Sequence, residues 1–136
     1  IACAEILDAQ LAVVSGQRDA LDRVRALDSL MLGGPAAGDA ASYAYLVVAR
    51  LYERLGEPES ALSAIRRRAY MTGWPRYLAT AWREEGSLAE RVGERDAARR
   101  AYARYLALRR APEGPVALQV AEVRLAFGRL QGAGPR

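Results

Sequence analysis

The sequence predicts an all-α protein, because short polar breaks recur between stretches of helical periodicity. Gly16, Gly56 and Gly93 each lie in such a break, and they are 40 and 37 residues apart. A glycine can end a helix in the left-handed conformation, which other residues adopt only at a cost. Each glycine is followed 19 residues later by a proline, which can open a helix but cannot continue one. These prolines are Pro35, Pro75 and Pro112. We therefore predict three helical hairpins that each turn at a glycine.

Apolar residues between the breaks recur every three or four positions, which is the spacing of one helix face. In the second hairpin such a face contains Tyr45, Val48, Ala49 and Tyr52. The segment after Pro115 carries one further face without a partner helix, as expected of a helix that caps the last hairpin. The other positions predicted to face the core are Ala61, Leu62, Ile65 and Ala69 in the second hairpin, Trp82, Gly86, Ala89, Ala98, Ala101, Tyr102 and Tyr105 in the third, and Val116, Val120, Val123, Phe127 and Leu130 in the last helix.

These boundaries predict one domain over residues 1–131, with hairpins at about 1–34, 40–74 and 75–111, a capping helix at 114–130 and a frayed tail at 132–136. No apolar run approaches the roughly 20 residues of a membrane-spanning helix, so we expect no membrane insertion by this segment. We separately expect a cytoplasmic location. The chain begins at Ile1 without an initiator Met, which suggests a piece of a longer polypeptide.

The composition argues against catalysis. The chain contains no His, which removes the commonest general base and the commonest metal ligand. Its single cysteine, Cys3, shares an apolar helical face with Ile6, Leu7 and Val14, so we expect a small buried side chain there. The glycines of MLGGPAAGDA lack the GK[ST] that completes a phosphate loop. We therefore expect no enzyme activity, no metal site and no cofactor.

Two segments carry a family resemblance. The segment YAYLVVARLYERLGEPESALSAI, residues 43–65, places a large residue, a small residue at the helix crossing, Tyr, Gly and a small Ala in an order that resembles the tetratricopeptide repeat signature. The segment WREEGSLAERVGERDAARRAYARYLAL, residues 82–108, matches at Trp82, Gly86, Gly93, Ala98 and Tyr102. The first hairpin, around Gly16, matches mainly in its spacing.

The resemblance implies a right-handed α-solenoid of three tetratricopeptide-like helical hairpins plus a C-terminal capping helix. It also implies a non-catalytic scaffold that binds a peptide or a partner domain in a concave groove lined by the first helices. The phrase AYARYLALR, followed by a last helix that begins with proline, is similar to C-terminal repeat regions of large bacterial multidomain proteins. That similarity implies a sensory or assembly module. The partner could also be another domain of the same polypeptide. The family's clamp for a peptide terminus depends on Lys and Asn, and this chain has neither.

Partner-binding residues are expected on the sides of the first helices that lie opposite their packing faces. Arginine side chains there could bind a carboxylate or an acidic segment, and Tyr43 could supply a flat contact. The same residues could equally form a solvated surface stabilised by pairs spaced four apart. The predicted positions are Tyr43, Leu46, Arg50, Glu53, Arg54, Thr80, Arg83, Ser87, Glu90 and Arg91, with Cys3, Ile6, Gln10, Val13 and Val14 in the first hairpin.

Two alternative functions stay open. The exposed edge of the first hairpin could stack on a second copy of the chain and give a homodimer. Arginines on the second helices and their ends could bind nucleic acid, although no aromatic residues accompany them and several lie near acids or helix C-termini. These arginines are Arg66, Arg67, Arg68, Arg99, Arg100, Arg109 and Arg110.

Arg68 and Glu85 depart from the family pattern, which has a small residue and a large apolar residue at these positions. Either charge alone would be costly in an interface between hairpins. One hypothesis pairs the two side chains across that interface. The alternative is that both extend to the surface.

Overall fold

The computed structural model describes residues 2–32, 41–67 and 77–132. Within these ranges the chain forms seven α-helices and no strand, which confirms the all-α prediction. The chain divides into two compact units, Ile1–Pro75 and Arg76–Arg136. The helices are α1 (Ala2–Val14), α2 (Ala20–Leu32), α3 (Ala41–Arg54), α4 (Pro58–Arg66), α5 (Leu78–Arg91), α6 (Arg95–Leu108) and α7 (Pro115–Gly132).

Three turns of the same geometry follow α1, α3 and α5. After α3, Gly56 has φ of 76°, its amide donates to the Glu53 carbonyl at 3.1 Å, and the Glu57 amide donates to the Tyr52 carbonyl at 2.9 Å. These bonds satisfy carbonyls that the end of the helix would otherwise leave without donors. The corresponding glycines after α1 and α5 are Gly16, with φ of 63°, and Gly93, with φ of 84°. The prediction that each of these glycines ends a helix is confirmed.

In the first unit, α3 contacts each of the other three helices, and α1 also packs on α2. Val48, Ala49 and Tyr52 of α3 are buried as predicted, whereas Tyr45 of the same predicted face is half-buried. Full burial of a valine side chain such as that of Val48 contributes about 1.5–3 kcal/mol. The core of this unit also contains Ile6, Ala9, Ala12, Val24, Leu27, Leu62 and Ile65.

In the second unit, α6 packs on α5 and on α7. Its Tyr102 and Tyr105 are buried, as predicted. A Cβ at Gly86 of α5 would overlap the Tyr102 ring, so the absence of a side chain at Gly86 leaves room for that ring. The buried side of α7 contains Val120, Val123, Ala126 and Leu130.

The prediction that Cys3 is buried is wrong, because its side of α1 is exposed. Leu7 and Val14, which share that side, are 65% and 71% exposed. The buried side of α1 is instead formed by Ile6, Ala9 and Ala12. Both sides of this helix are apolar, so the periodicity of the sequence alone could not show which one faces the core.

Several other expectations concern the ends and connections of the hairpins. Pro115 opens α7 as predicted, whereas Pro112 lies in the connection before it. Glu85 is buried in α5, with 8% of its surface exposed. Its hypothetical partner Arg68 lies outside the described residues, as do Pro35, Ala69, Pro75 and the tail from residue 133.

Candidate functional site

The surface of α3 carries three of the predicted partner-binding residues. Arg50, Glu53 and Arg54 are exposed, and Tyr43 is half-buried. Leu46 is instead buried, with 4% of its surface exposed, and it belongs to the core of the first unit. Leu46 is covered because α3 packs against three other helices, and more than one side of α3 is therefore buried.

On α5, Ser87 and Arg91 are exposed, whereas Thr80, Arg83 and Glu90 are half-buried. The structure therefore places exposed arginines on both α3 and α5. In the first hairpin, Cys3 and Val14 are exposed on α1, and Gln10 and Val13 are half-buried. The prediction for Ile6 is wrong, because this residue is buried in the core of the first unit.

Glu90 takes part in a cluster that ties three helices of the second unit together. The Tyr102 hydroxyl of α6 donates to Glu90 Oε2 at 3.1 Å, and Arg129 Nη2 of α7 donates to Glu90 Oε1 at 3.3 Å. Burial, together with the nearby Glu90 carboxylate, raises the pKa of the Tyr102 hydroxyl far above its usual value. Both carboxylate oxygens are thus engaged within the unit, which gives Glu90 a structural role. We call Glu90, Tyr102 and Arg129 the Glu90 cluster.

A similar cluster, which we did not predict, lies in the first unit. The Tyr52 hydroxyl of α3 donates to Asp28 Oδ2 of α2 at 3.2 Å, and Arg67 after α4 donates to Asp28 Oδ1. Arg67 also donates to Ser63 Oγ at 2.8 Å. Burial, and to a lesser degree the Asp28 carboxylate, raises the pKa of Tyr52. We call Asp28, Tyr52 and Arg67 the Asp28 cluster.

Trp82 on α5 and Arg104 on α6 form a further contact in the second unit. The guanidinium carbon of Arg104 lies 4.4 Å from the centroid of the Trp82 ring. A cation over an indole face at such a distance contributes about 0.5–1 kcal/mol at a partly exposed site. One face of Trp82 is therefore covered by a side chain of its own unit.

Two helices present apolar side chains on the side away from their own core. On α1, Cys3, Leu7, Leu11 and Val14 are exposed, and we call these four residues the outer face of α1. On α7, Leu118 and Leu125 are 72% and 69% exposed. Ala121 and Glu122, which lie between them on the same side, are also exposed. We call these four residues the outer face of α7.

The arginines considered for nucleic-acid binding are exposed wherever the structure describes them. Two of them bind carboxylates of the chain itself: Arg67 pairs with Asp28, and Arg99 pairs with Asp96 at 3.3 Å. These internal pairs reduce the positive charge that is available to an anionic partner. Arg68 again lies outside the described residues.

The described ranges contain no group of three or more Cys, Asp or Glu side chains that could hold a metal ion. Of the seven helices in those ranges, none is long and apolar enough to cross a membrane.

No protein-family model and no curated protein matches this chain. The likeness to tetratricopeptide repeats, which is based on residues 43–65 and 82–108, therefore stays a prediction.

Proposed function

We propose that the chain is a non-catalytic protein-interaction module that binds an acidic peptide or partner segment along the exposed sides of α3 and α5. One observation carries the proposal: both helices expose an arginine at the same position before the glycine turn. Arg54 precedes Gly56 by two residues, and Arg91 precedes Gly93 by two residues. Both arginines are exposed.

Arginine suits this role because its planar guanidinium can donate two parallel hydrogen bonds to one carboxylate. Arg50 and Arg83 add further positive charge to the two helices, and the half-buried Tyr43 ring offers a flat apolar contact. The architecture that accompanies this proposal is a right-handed solenoid of three hairpins with α7 as a cap, in which the first helices line a groove. The repeated turn geometry at the three glycines supports it.

The test is a selection of random displayed peptides on the immobilised chain, followed by titration of the enriched peptides by fluorescence anisotropy. We expect the enriched peptides to be acidic. Reversing both charges, with Arg54→Glu and Arg91→Glu, should weaken their binding by at least about tenfold, because two carboxylate contacts are lost. A thermal unfolding curve like that of the wild type, measured by circular dichroism, would show that the variant is folded.

The matched control reverses two exposed arginines of α6, with Arg95→Glu and Arg100→Glu, and so changes the net charge by the same amount. This control should leave peptide affinity close to that of the wild type. Enrichment of neutral peptides, or equal weakening by the two double variants, would contradict the proposed surface.

Self-association is the second candidate function, and the outer face of α1 favours it. Leu7, Leu11 and Val14 are between 61% and 71% exposed, and they are adjacent on one side of the helix. A contiguous apolar surface of this kind commonly marks an interaction site.

A further inference from the structure

The positive charge of the chain is concentrated in its second unit. Residues 76–136 contain 12 arginines and seven acidic residues, whereas residues 1–75 contain eight arginines and nine acidic residues. Within the second unit, the stretch that begins with α6 and ends at residue 110 contains six arginines and a single acid, Asp96. All six arginines are exposed, and we call them the α6 arginine surface: Arg95, Arg99, Arg100, Arg104, Arg109 and Arg110.

We infer that the α6 arginine surface binds the phosphate backbone of a nucleic-acid duplex. Contacts to phosphates depend on charge, so this binding is independent of base sequence. The inference is also independent of the peptide-binding proposal, which concerns α3 and α5.

Little of the positive charge on this surface is neutralised within the chain. The described carboxylates form an ion pair with only one of the six arginines, which is Arg99, 3.3 Å from Asp96. Arg104 lies over an aromatic ring, a contact that leaves its charge intact. Glu94 and Glu113 flank the stretch at its two ends, and with them included six arginines still face three acids. The surface therefore presents an excess of positive charge to the solvent.

The arginines of α6 lie in two rows along its exposed side. Arg95 and Arg99 are four residues apart, and so are Arg100 and Arg104. Each pair therefore spans about 6 Å along the helix axis. The exposed residues between the two rows are Asp96, Ala103 and Ala107. Because both alanines are short and Asp96 is bonded to Arg99, an extended row of phosphates can approach the arginines on either side.

Charge density and side-chain type favour a duplex over other anionic partners. A DNA duplex carries one negative charge per about 1.7 Å of its axis, whereas an extended peptide carries at most one per about 3.3 Å. Interfacial helices lay an apolar side into the bilayer, but the apolar side of α6 is buried in its own unit. Single strands stack their bases on aromatic side chains, and none of the exposed residues of α6, which the structure describes throughout, is aromatic.

The test is fluorescence anisotropy of a labelled DNA duplex of about 20 base pairs, titrated with the 136-residue chain at salt concentrations between about 50 and 200 mM. We expect the logarithm of the affinity to fall linearly with the logarithm of the salt concentration. The slope should be about −3 or steeper, because at least three arginines would displace counterions from phosphates. An RNA duplex of the same length, measured in parallel, identifies which kind of duplex this surface prefers.

The decisive variant is Arg95→Gln/Arg100→Gln, which removes one arginine from each row. It should weaken duplex binding by at least about tenfold near 100 mM salt and make the slope shallower by about 2. The matched control, Arg18→Gln/Arg25→Gln, removes the same charge from two exposed positions of the first unit and should leave the slope unchanged. Circular dichroism would verify that both variants fold, as expected of changes at exposed side chains.

Three results would overturn the inference: no duplex binding near 50 mM salt, equal weakening by the two double variants, or tighter binding of a DNA single strand or of phosphatidylserine vesicles than of either duplex. A chain that binds no duplex but still binds acidic peptides through Arg54 and Arg91 would reject this inference and leave the peptide-binding proposal intact. Duplex binding without peptide binding would have the opposite meaning.

Discussion

The two units use the same three kinds of side chain to tie their helices together, but they place them at different positions of the hairpin. In the Asp28 cluster the tyrosine lies on the first helix of its hairpin, four residues before Gly56. In the Glu90 cluster the tyrosine lies on the second helix, nine residues after Gly93. The likeness between the clusters is therefore chemical and does not extend to their positions around the glycine turns. Partly buried polar groups require hydrogen-bond partners, and a carboxylate that accepts from both a tyrosine and an arginine satisfies all three side chains.

Positions at the same distance from the glycine turn can also differ in role. Arg67 and Arg104 each lie eleven residues after the glycine of their hairpin. Arg67 binds Asp28, whereas Arg104 lies over the ring of Trp82. The neighbouring helix decides the role, because an arginine side chain can bind either a carboxylate or an aromatic face.

The largest expected effect concerns two positions, one on each helix of a hairpin, whose side chains differ in size between the two units. Ala49 and Ile65 lie seven residues before and nine residues after Gly56, and Gly86 and Tyr102 take the same places around Gly93. Helix propensity alone predicts that Gly86→Ala stabilises the chain by about 1 kcal/mol. Because the new Cβ would overlap the Tyr102 ring, we expect a net loss of about 1–2 kcal/mol, measured by urea unfolding.

The double variant Gly86→Ala/Tyr102→Ile copies the pair of the first unit and serves as the control. It should be more stable than the sum of the two single changes predicts, by at least about 1 kcal/mol. A stabilising effect of Gly86→Ala alone would show that the size difference between the hairpins is unimportant.

The next effect compares the two equivalent arginines. Asp28 and Arg67 have side chains that are 18% and 31% exposed, so Arg67→Ala leaves a largely covered carboxylate without its cation. We expect a loss of about 1–2 kcal/mol in the free energy of unfolding. Arg104→Ala should cost only about 0.5–1 kcal/mol, because it removes a contact with an aromatic face. Equal losses in urea unfolding would argue against a difference in role.

The smallest effect is a pH dependence that involves both tyrosines. Their folded-state pKa values are raised above the usual 10.0, and the rise is large for Tyr102. Their contribution to stability is therefore present below pH 10 and falls as the pH rises above it. Tyr52→Phe and Tyr102→Phe should each cost about 1 kcal/mol near neutral pH. Each should also reduce the loss of stability as the pH rises above about 10, Tyr102→Phe by more.

The measurement is urea unfolding of the wild type, both single variants and the double variant at several pH values. The double variant should show the weakest dependence on pH in the alkaline range. Four identical alkaline profiles would mean that neither hydroxyl contributes in the way the structure indicates.

Local signals in the sequence were enough to predict the helices and their turns. Gly56 and its counterparts end helices through bonds to carbonyls within five residues, and Pro115 opens α7 because proline needs no amide donor at that position. The packing faces of α3 and α6 could also be predicted, since each contains a polar side and an apolar side. Such features depend only on residues that are close in sequence.

Contacts between distant residues could not be predicted in the same way. Glu90 was expected on a binding surface, but it accepts bonds from residues 12 and 39 positions away. Leu46 was expected on the same surface, but α3 is covered on more than one side. The choice between the two apolar sides of α1 likewise depends on which side α2 and α3 meet. Each outcome is decided by how the helices pack against one another. The spacing of apolar residues within one helix carries little information about that packing.

The turn after each first helix also bears on how the chain acquires its structure during synthesis. Among the backbone hydrogen bonds of the Gly56 turn, the one between Glu57 and Tyr52 joins the residues that are furthest apart in sequence. The reversal of chain direction therefore requires no segment from elsewhere in the chain. Contacts between residues that are close in sequence form quickly, because little entropy is lost in closing a short loop. The α3–α4 hairpin can therefore begin to form as soon as α4 has left the ribosome, before α5 has emerged from it.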